Sequence, residues 1–128
     1  MNIQILGKNA IYFLLNEDVA NSLLSIFNKK SGTIFSDHVK VKEVIFQEAD
    51  EECIIINNNN NKMYLCLDTE TFEYGSWIIE HYLSNLELKT SEFCELEVFD
   101  EKKNIRKTGT NPKNKRVIRV YFKSKIAR

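Results

Sequence analysis

Alternation of hydrophobic and polar residues predicts most of the secondary structure of this chain. Apolar residues at every second position are typical of strands with one buried face. Short runs of this kind, rich in Ile, Val, Phe and Tyr, recur along the sequence between polar turn residues. We predict strands at Asn2–Leu6, Ala10–Leu15, Lys42–Gln47 with the preceding Val39 and Val41, Glu52–Ile56, Lys62–Leu67, Glu92–Phe99 and Arg116–Lys123.

The last two predicted strands suit each other as a hairpin. In the first, apolar residues alternate with Glu95 and Glu97, and in the second they alternate with Arg119 and Lys123. Strands with matching apolar faces and opposite charges on the other face stabilise an antiparallel pair. Another hairpin tip is predicted at the run Asn57–Asn61, because asparagine tolerates the left-handed backbone of tight turns.

Helical spacing of apolar residues marks two further segments. Asn16 is placed to cap a helix over Glu17–Lys30, which Gly32 would end, and Asp68 or Thr69 is placed to cap a second helix. The repeating apolar positions are Val19, Leu23, Ile26 and Phe27 in the first helix and Phe72, Ile79, Leu83 and Leu86 in the second, where Trp77, Ile78 and Tyr82 widen the buried stripe.

Together these elements predict an α+β fold with the order ββαβββαββ. We expect an antiparallel sheet of about six or seven strands with two packed helices, because an apolar helix of this kind needs a sheet to cover. The length of 128 residues fits a single domain, residues 1–128. Within this domain, a basic segment at about 101–116 forms the loop of the C-terminal hairpin.

Composition predicts a folded cytoplasmic protein. A hydrophobic content of 43% and an aromatic content of 11% are those of globular rather than disordered chains. The opening residues, Met1–Leu6, lack the basic and apolar regions of a signal peptide. Because no apolar run approaches the roughly 18 residues needed to cross a bilayer, we expect no membrane contact.

Formal charge is distributed unevenly along the chain. The total is zero, but residues 101–128 hold 11 Lys and Arg against one acid, whereas residues 1–100 hold 7 Lys and Arg against 17 acids. The neutral total therefore hides charges of about +10 and about −10. Fields of this size steer charged partners.

Potentially reactive residues form no catalytic or cofactor motif. Cys53, Cys66 and Cys94 lie in apolar stretches at spacings that fit neither a zinc site nor a redox pair, so we interpret them as reduced and buried. His38 and His81 lack partners at the spacing of a metal or nucleophile motif. We expect no catalytic residue, no metal ion and no cofactor, with an enzyme of unrecognised site as an alternative.

Acidic residues in the first hundred positions favour binding to a basic protein. Cytotoxic nucleases are basic because they bind nucleic acid, and acidic residues on an inhibitor raise its rate of encounter with them. In overall character the chain resembles a bacterial toxin-immunity protein of the kind paired with contact-dependent growth-inhibition toxins: a small domain rich in Asn, Ile and Lys, with mixed strands and helices and no active site. The resemblance implies a cognate protein toxin, most simply a nuclease, as partner. We predict that the partner-binding residues are Asp50, Glu51, Glu52, Glu70, Glu73 and Glu80.

Nucleic-acid binding through the basic loop is the alternative hypothesis. Lysine and arginine side chains there could follow a line of phosphates. The charge of about −10 on the remaining residues would repel the same phosphates, so we rank this hypothesis second. Its candidate residues are Lys102, Lys103, Arg106, Lys107, Lys113 and Lys115.

Overall fold

The computed structural model of the chain describes residues 2–6, 9–57, 59–99 and 116–124. Over these ranges, a pair of helices covers one face of an eight-stranded sheet. The elements in chain order are β1 (Asn2–Leu6), β2 (Ala10–Leu15), α1 (Glu17–Lys29), β3 (Ser31–Phe35), β4 (Glu43–Glu48), β5 (Cys53–Asn57), β6 (Lys62–Leu67), α2 (Thr69–Asn85), β7 (Ser91–Phe99) and β8 (Val117–Ser124). The predicted α+β class is confirmed. No helix among these residues is long and apolar enough to cross a membrane.

The sheet is mixed, so the prediction of an antiparallel sheet is wrong. Its strands lie in the order β1-β2-β8-β7-β5-β6-β4-β3. Three neighbouring pairs are parallel, namely β2 with β8, β4 with β6 and β5 with β7, and the other pairs are antiparallel. Parallel partners come from strands that are not consecutive in the chain. Alternation within one strand indicates which face is buried but not which strand lies beside it.

The predicted order ββαβββαββ and the predicted count of about six or seven strands are also wrong, because the sheet has eight strands and the prediction lacks β3. We expected Gly32 only to end the first helix, whereas Lys30 ends α1 in the left-handed conformation and the chain enters β3 at Ser31. A Cβ on Gly32 would lie 2.7 Å from Cγ1 of Ile26, so glycine lets β3 pass close to α1. Val39, Val41 and Lys42, which we predicted as the start of the following strand, lie outside β4, which begins at Glu43.

Both helices begin at the residues that the sequence predicts. Oδ1 of Asn16 accepts a hydrogen bond from the backbone N–H of Val19 at 2.8 Å, and Oδ1 of Asp68 accepts one from the backbone N–H of Thr71 at 2.8 Å. These bonds satisfy donors that have no partner within the first helical turn. The first helix ends at Lys29, one residue before the predicted end.

The core lies between the helices and the covered face of the sheet, with Phe27 at its centre. Gly75 of α2 lies against this ring, because a Cβ there would be 2.3 Å from Cε2 of Phe27. Glycine costs a helix about 1 kcal/mol relative to alanine, but here it lets the two helices approach each other. The ring of Phe27 contacts those of Phe46, Phe72, Phe93 and Phe122, with ring centroids 5.2 to 5.9 Å apart.

The predicted pairing of the two C-terminal strands is confirmed. β7 and β8 are antiparallel, and Glu95 faces Arg119 with Oε2 and Nε 3.0 Å apart. Both side chains lie on the sheet face away from the helices, which we call the open face, as do the exposed Glu92 and Glu97 of β7. The rest of the predicted basic loop lies outside the described residues, apart from Arg116.

Candidate functional site

Acidic residues gather at one end of the molecule, where the β4–β5 loop meets the start of α2. Oε2 of Glu52 accepts a hydrogen bond from the backbone N–H of Asp68 at 3.0 Å, and Oε2 of Glu48 accepts one from Oγ1 of Thr69. A backbone hydrogen bond of 2.9 Å also joins the start of the loop to the end of β6. These bonds hold the loop beside the first turn of α2. We call this surface the acidic end, and it comprises Glu48, Asp50, Glu51, Glu52, Asp68 and Glu70.

The structure divides the six predicted partner-binding residues between this end and the helix that follows it. Asp50, Glu51 and Glu70 are exposed at the acidic end, and Glu52 is half-buried there. Glu73 and Glu80 are exposed farther along α2. Because they are seven residues apart, Glu73 and Glu80 lie on the same side of the helix. The acidic surface therefore continues from the loop along the helix.

An exposed row of rings runs along the outer face of α2, the face turned away from the core. Tyr74 and Trp77 are 49% and 62% exposed, and His81 is also exposed. The ring centroids of Tyr74 and Trp77 are 6.3 Å apart with the planes 15° from parallel, and those of Trp77 and His81 are 6.0 Å apart with the planes 20° from parallel. We call these three residues the aromatic stripe.

Sequence reasoning missed the aromatic stripe, because the prediction that Trp77 lies in the buried stripe is wrong. At about 100° per residue, Trp77 is roughly 200° round the helix from Ile79, which is buried. The prediction for Leu86 is wrong for another reason: it ends α2 in the left-handed conformation and is 54% exposed. The spacing of Tyr74, Trp77 and His81, three and then four residues, was the signal that could have revealed a second stripe.

A groove runs beside the aromatic stripe, on the side of α2 that faces β7 and β8. It has a volume of about 1190 Å³, and the stripe forms one wall. Residues 87–91, which follow the helix, form the other wall with Lys123. Oγ of Ser124 holds this wall in place, because it accepts a hydrogen bond from the backbone N–H of Leu88 at 2.6 Å and donates one to its carbonyl at 3.2 Å. The groove therefore has fixed walls on both sides.

The cysteines and His38 make contacts that are typical of structural rather than reactive residues. Cys53 and Cys66 face each other across β5 and β6. Burial, followed by the neighbouring Cys66 thiol and two glutamates, raises the pKa of Cys53 from 9.0 to about 12. Burial also raises the pKa of Cys94 well above its ordinary value. Nδ1 of His38 accepts a hydrogen bond from the backbone N–H of Lys40 at 3.0 Å within one loop. At neutral pH the thiols of Cys53 and Cys94 are therefore protonated and weakly nucleophilic.

Phosphate-binding candidates of the alternative hypothesis, Lys102, Lys103, Arg106, Lys107, Lys113 and Lys115, lie outside the described residues. Among the residues that the structure does describe, no group of three or more His, Cys, Asp or Glu side chains could hold a metal ion. The neighbouring strand β8 contributes Arg119, which pairs with Glu95. The acidic end and the outer face of α2 therefore remain as candidate binding surfaces among the described residues.

No protein-family model, no curated protein and no solved structure matches the chain. Its function is therefore inferred from the surface chemistry of its own residues.

Proposed function

We propose that this protein is a non-catalytic protein-binding module, an immunity protein that binds and neutralises a cognate toxin, with a nuclease as the toxin. The observation that carries the proposal is the acidic end, where hydrogen bonds from Asp68 and Thr69 hold the β4–β5 loop against α2. Exposed carboxylates on two elements thereby form one surface of fixed shape. A nuclease must present basic side chains to nucleic acid, and this surface is complementary to them in charge.

The surroundings of Cys53 and Cys94 do not favour a cysteine nucleophile. A nucleophilic cysteine needs a lowered pKa, from a neighbouring cation or a helix N-terminus. The pKa of Cys53 is instead raised to about 12 and that of Cys94 is raised by burial.

Protection from a toxin is the direct test of this proposal. The protein is produced in bacteria together with the candidate toxin encoded by a neighbouring gene, and survival is compared with cells that lack the protein. Calorimetry on the purified pair then measures the affinity. We expect survival, a complex of defined stoichiometry, and an affinity that falls as salt concentration rises. Survival without any complex between the two purified proteins would refute neutralisation by binding.

Two charge-reversal variants locate the surface. The triple variant Asp50→Lys, Glu51→Lys and Glu70→Lys changes the acidic end, and we expect it to weaken toxin binding at least about tenfold. The matched control reverses the same number of charges away from the acidic end, at the exposed Glu17, Asp18 and Glu92. If the control weakens binding as much as the first variant does, net charge rather than the acidic end governs association.

Phosphate binding by the basic loop is the alternative proposal, and a separate measurement decides it. Retention of the protein on a nucleic-acid column at about 0.15 M salt is compared before and after Lys102, Lys103, Arg106 and Lys107 are changed to alanine. Retention that depends on these residues and falls steeply with salt supports a nucleic-acid-associated protein. Retention that does not change with the substitutions contradicts it.

A further inference from the structure

We infer that the aromatic stripe on α2 is an anchor for arginine side chains of a protein partner. This inference rests on the proposed function and adds to it the chemistry that the partner must present. The observations behind it are separate from the acidic end, because the stripe lies farther along α2. Three features of the outer face of α2 carry it: exposed rings, a rigid base and carboxylates at their side.

The stripe stands on a helix that is packed against the core. Phe72, Ile78 and Ile79 are buried on the inner side of α2, so the helix backbone beneath the rings is held against the core. The ring of Trp77 lies between those of Tyr74 and His81, with both neighbouring planes within 20° of its own. A partner that binds here therefore needs no rearrangement of the helix backbone, and this lowers the entropic cost of binding.

Exposure makes the stripe unusual for a surface without a partner. Trp77 is 62% exposed and is the only tryptophan of the chain. Large exposed aromatic residues, tryptophan and tyrosine above all, supply much of the binding energy at protein interfaces. Burial of these rings by a partner would remove a large apolar area from water.

Carboxylates beside the rings select arginine as the side chain that fits. Glu73 and Glu80 lie four residues before and three residues after Trp77, so both carboxylates are neighbours of its ring on the helix surface. They lie on the α1 side of the stripe, where Oγ of Ser76 donates a hydrogen bond to Oδ1 of Asn28 at 3.1 Å. A guanidinium stacks flat on an aromatic ring while its N–H groups bind a carboxylate at its edge. The described lysines that line the groove, Lys89 and Lys123, lie on the other side of the stripe from these carboxylates.

Fluorescence of Trp77 provides a reporter at the site itself. The probe is a synthetic helical peptide with one arginine on every turn, and the comparison probe is the same peptide with lysine at those positions. We expect the arginine peptide to change the emission of Trp77 and to bind about fivefold or more tightly than the lysine peptide, because stacking favours a guanidinium. Equal affinity for both peptides overturns the assignment of arginine.

Variants that retain Trp77 test the two partners of the guanidinium. Tyr74→Ala removes a ring that is half exposed, and Glu73→Gln with Glu80→Gln removes the charges without changing side-chain size. We expect each change to weaken binding of the arginine peptide about threefold to tenfold. Glu92→Gln, on the open face, is the control and should leave binding unchanged. Binding that survives both sets of changes overturns the inference.

The outcomes separate this inference from the proposed function. If the Glu73→Gln, Glu80→Gln variant still neutralises the toxin with unchanged affinity, the stripe is not the anchor, whereas the immunity proposal stands. If the arginine peptide binds as expected but no toxin is neutralised, the immunity proposal fails and the arginine site stands. If the emission of Trp77 changes with protein concentration alone, a second copy of the chain covers the stripe, and the inference is wrong.

Discussion

Replacement of Gly75 by alanine separates two opposing effects in the centre of the protein. In an isolated helix the change would stabilise α2 by about 1 kcal/mol, because alanine is the better helix former. Here the new Cβ would lie 2.3 Å from Cε2 and 2.6 Å from Cδ2 of Phe27, far inside the roughly 3.5–4.0 Å of ordinary carbon contacts. Phe27 is 1% exposed and is surrounded by four other phenylalanine rings, so it has little room to move.

The steric effect should exceed the gain in helix propensity. Overpacking of a core costs about 1–3 kcal/mol, and a contact as short as this lies toward the upper end of that range. After the gain of about 1 kcal/mol is subtracted, we expect Gly75→Ala to lower the free energy of unfolding by about 1–2 kcal/mol. Urea unfolding, followed by far-ultraviolet circular dichroism, measures this difference. If both proteins unfold with the same dependence on urea concentration, the shift in the midpoint of unfolding gives the change in free energy.

A double-mutant cycle checks the cause. In a Phe27→Leu background the ring that meets the new Cβ is absent, so Gly75→Ala should cost at least about 1 kcal/mol less than it does in the natural sequence. Ser84→Ala on the exposed side of α2 is the control, with an expected effect within about 0.5 kcal/mol. An increase in stability on Gly75→Ala, or the same cost in both backgrounds, would show that the close approach to Phe27 does not decide the residue at position 75.

Three further changes test other regions of the structure. Asp68→Ala removes the N-cap of α2 and should lower the free energy of unfolding by about 1 kcal/mol, measured by urea unfolding. Tyr82→Phe removes the hydrogen bond from the buried hydroxyl to the carbonyl of Leu15, so the same measurement should show a loss of about 0.5–1.5 kcal/mol. Because unfolding returns the pKa of Cys53 from about 12 to 9.0, the folded state favours the protonated thiol, and stability should fall as pH rises above about 9. The urea midpoint of Cys53→Ser should fall less between pH 8 and pH 10, and an equal fall would contradict the role of the thiol.

The sequence predicted the elements that depend on contacts between residues close together in the chain. Asn16 and Asp68 cap their helices through bonds to residues three positions away, and the alternation in β7 and β8 defines their buried faces. The strand β3 escaped prediction because none of its residues is fully buried and its partner strand, β4, lies later in the chain, where Gln47 faces Ser31. The parallel pairs escaped it for the same reason, since strand alternation carries no information about distant partners.

The candidate site could likewise be predicted only in part. Each acidic residue could be named from the sequence, but the hydrogen bond between Glu52 and Asp68 that joins the loop to α2 spans 16 positions and has no local signature. Trp77 was assigned to the core because of its size and apolar character, although its angular position opposes that of Ile79. For a residue that is both large and able to bind at interfaces, the position around the helix is more informative than hydrophobicity.

The position of β8 in the sheet has a consequence for the order in which the protein becomes complete during synthesis. β8 lies between β2 and β7, and it pairs Ala10 with Arg119, residues separated by about a hundred positions. Until the ribosome has released β8, β2 pairs only with β1 and β7 pairs only with β5. Each of the two strands then presents one open backbone edge. Such edges invite pairing with other chains. A nascent chain therefore depends on β8 to close the sheet, and we expect a copy interrupted before residue 117 to be prone to aggregation.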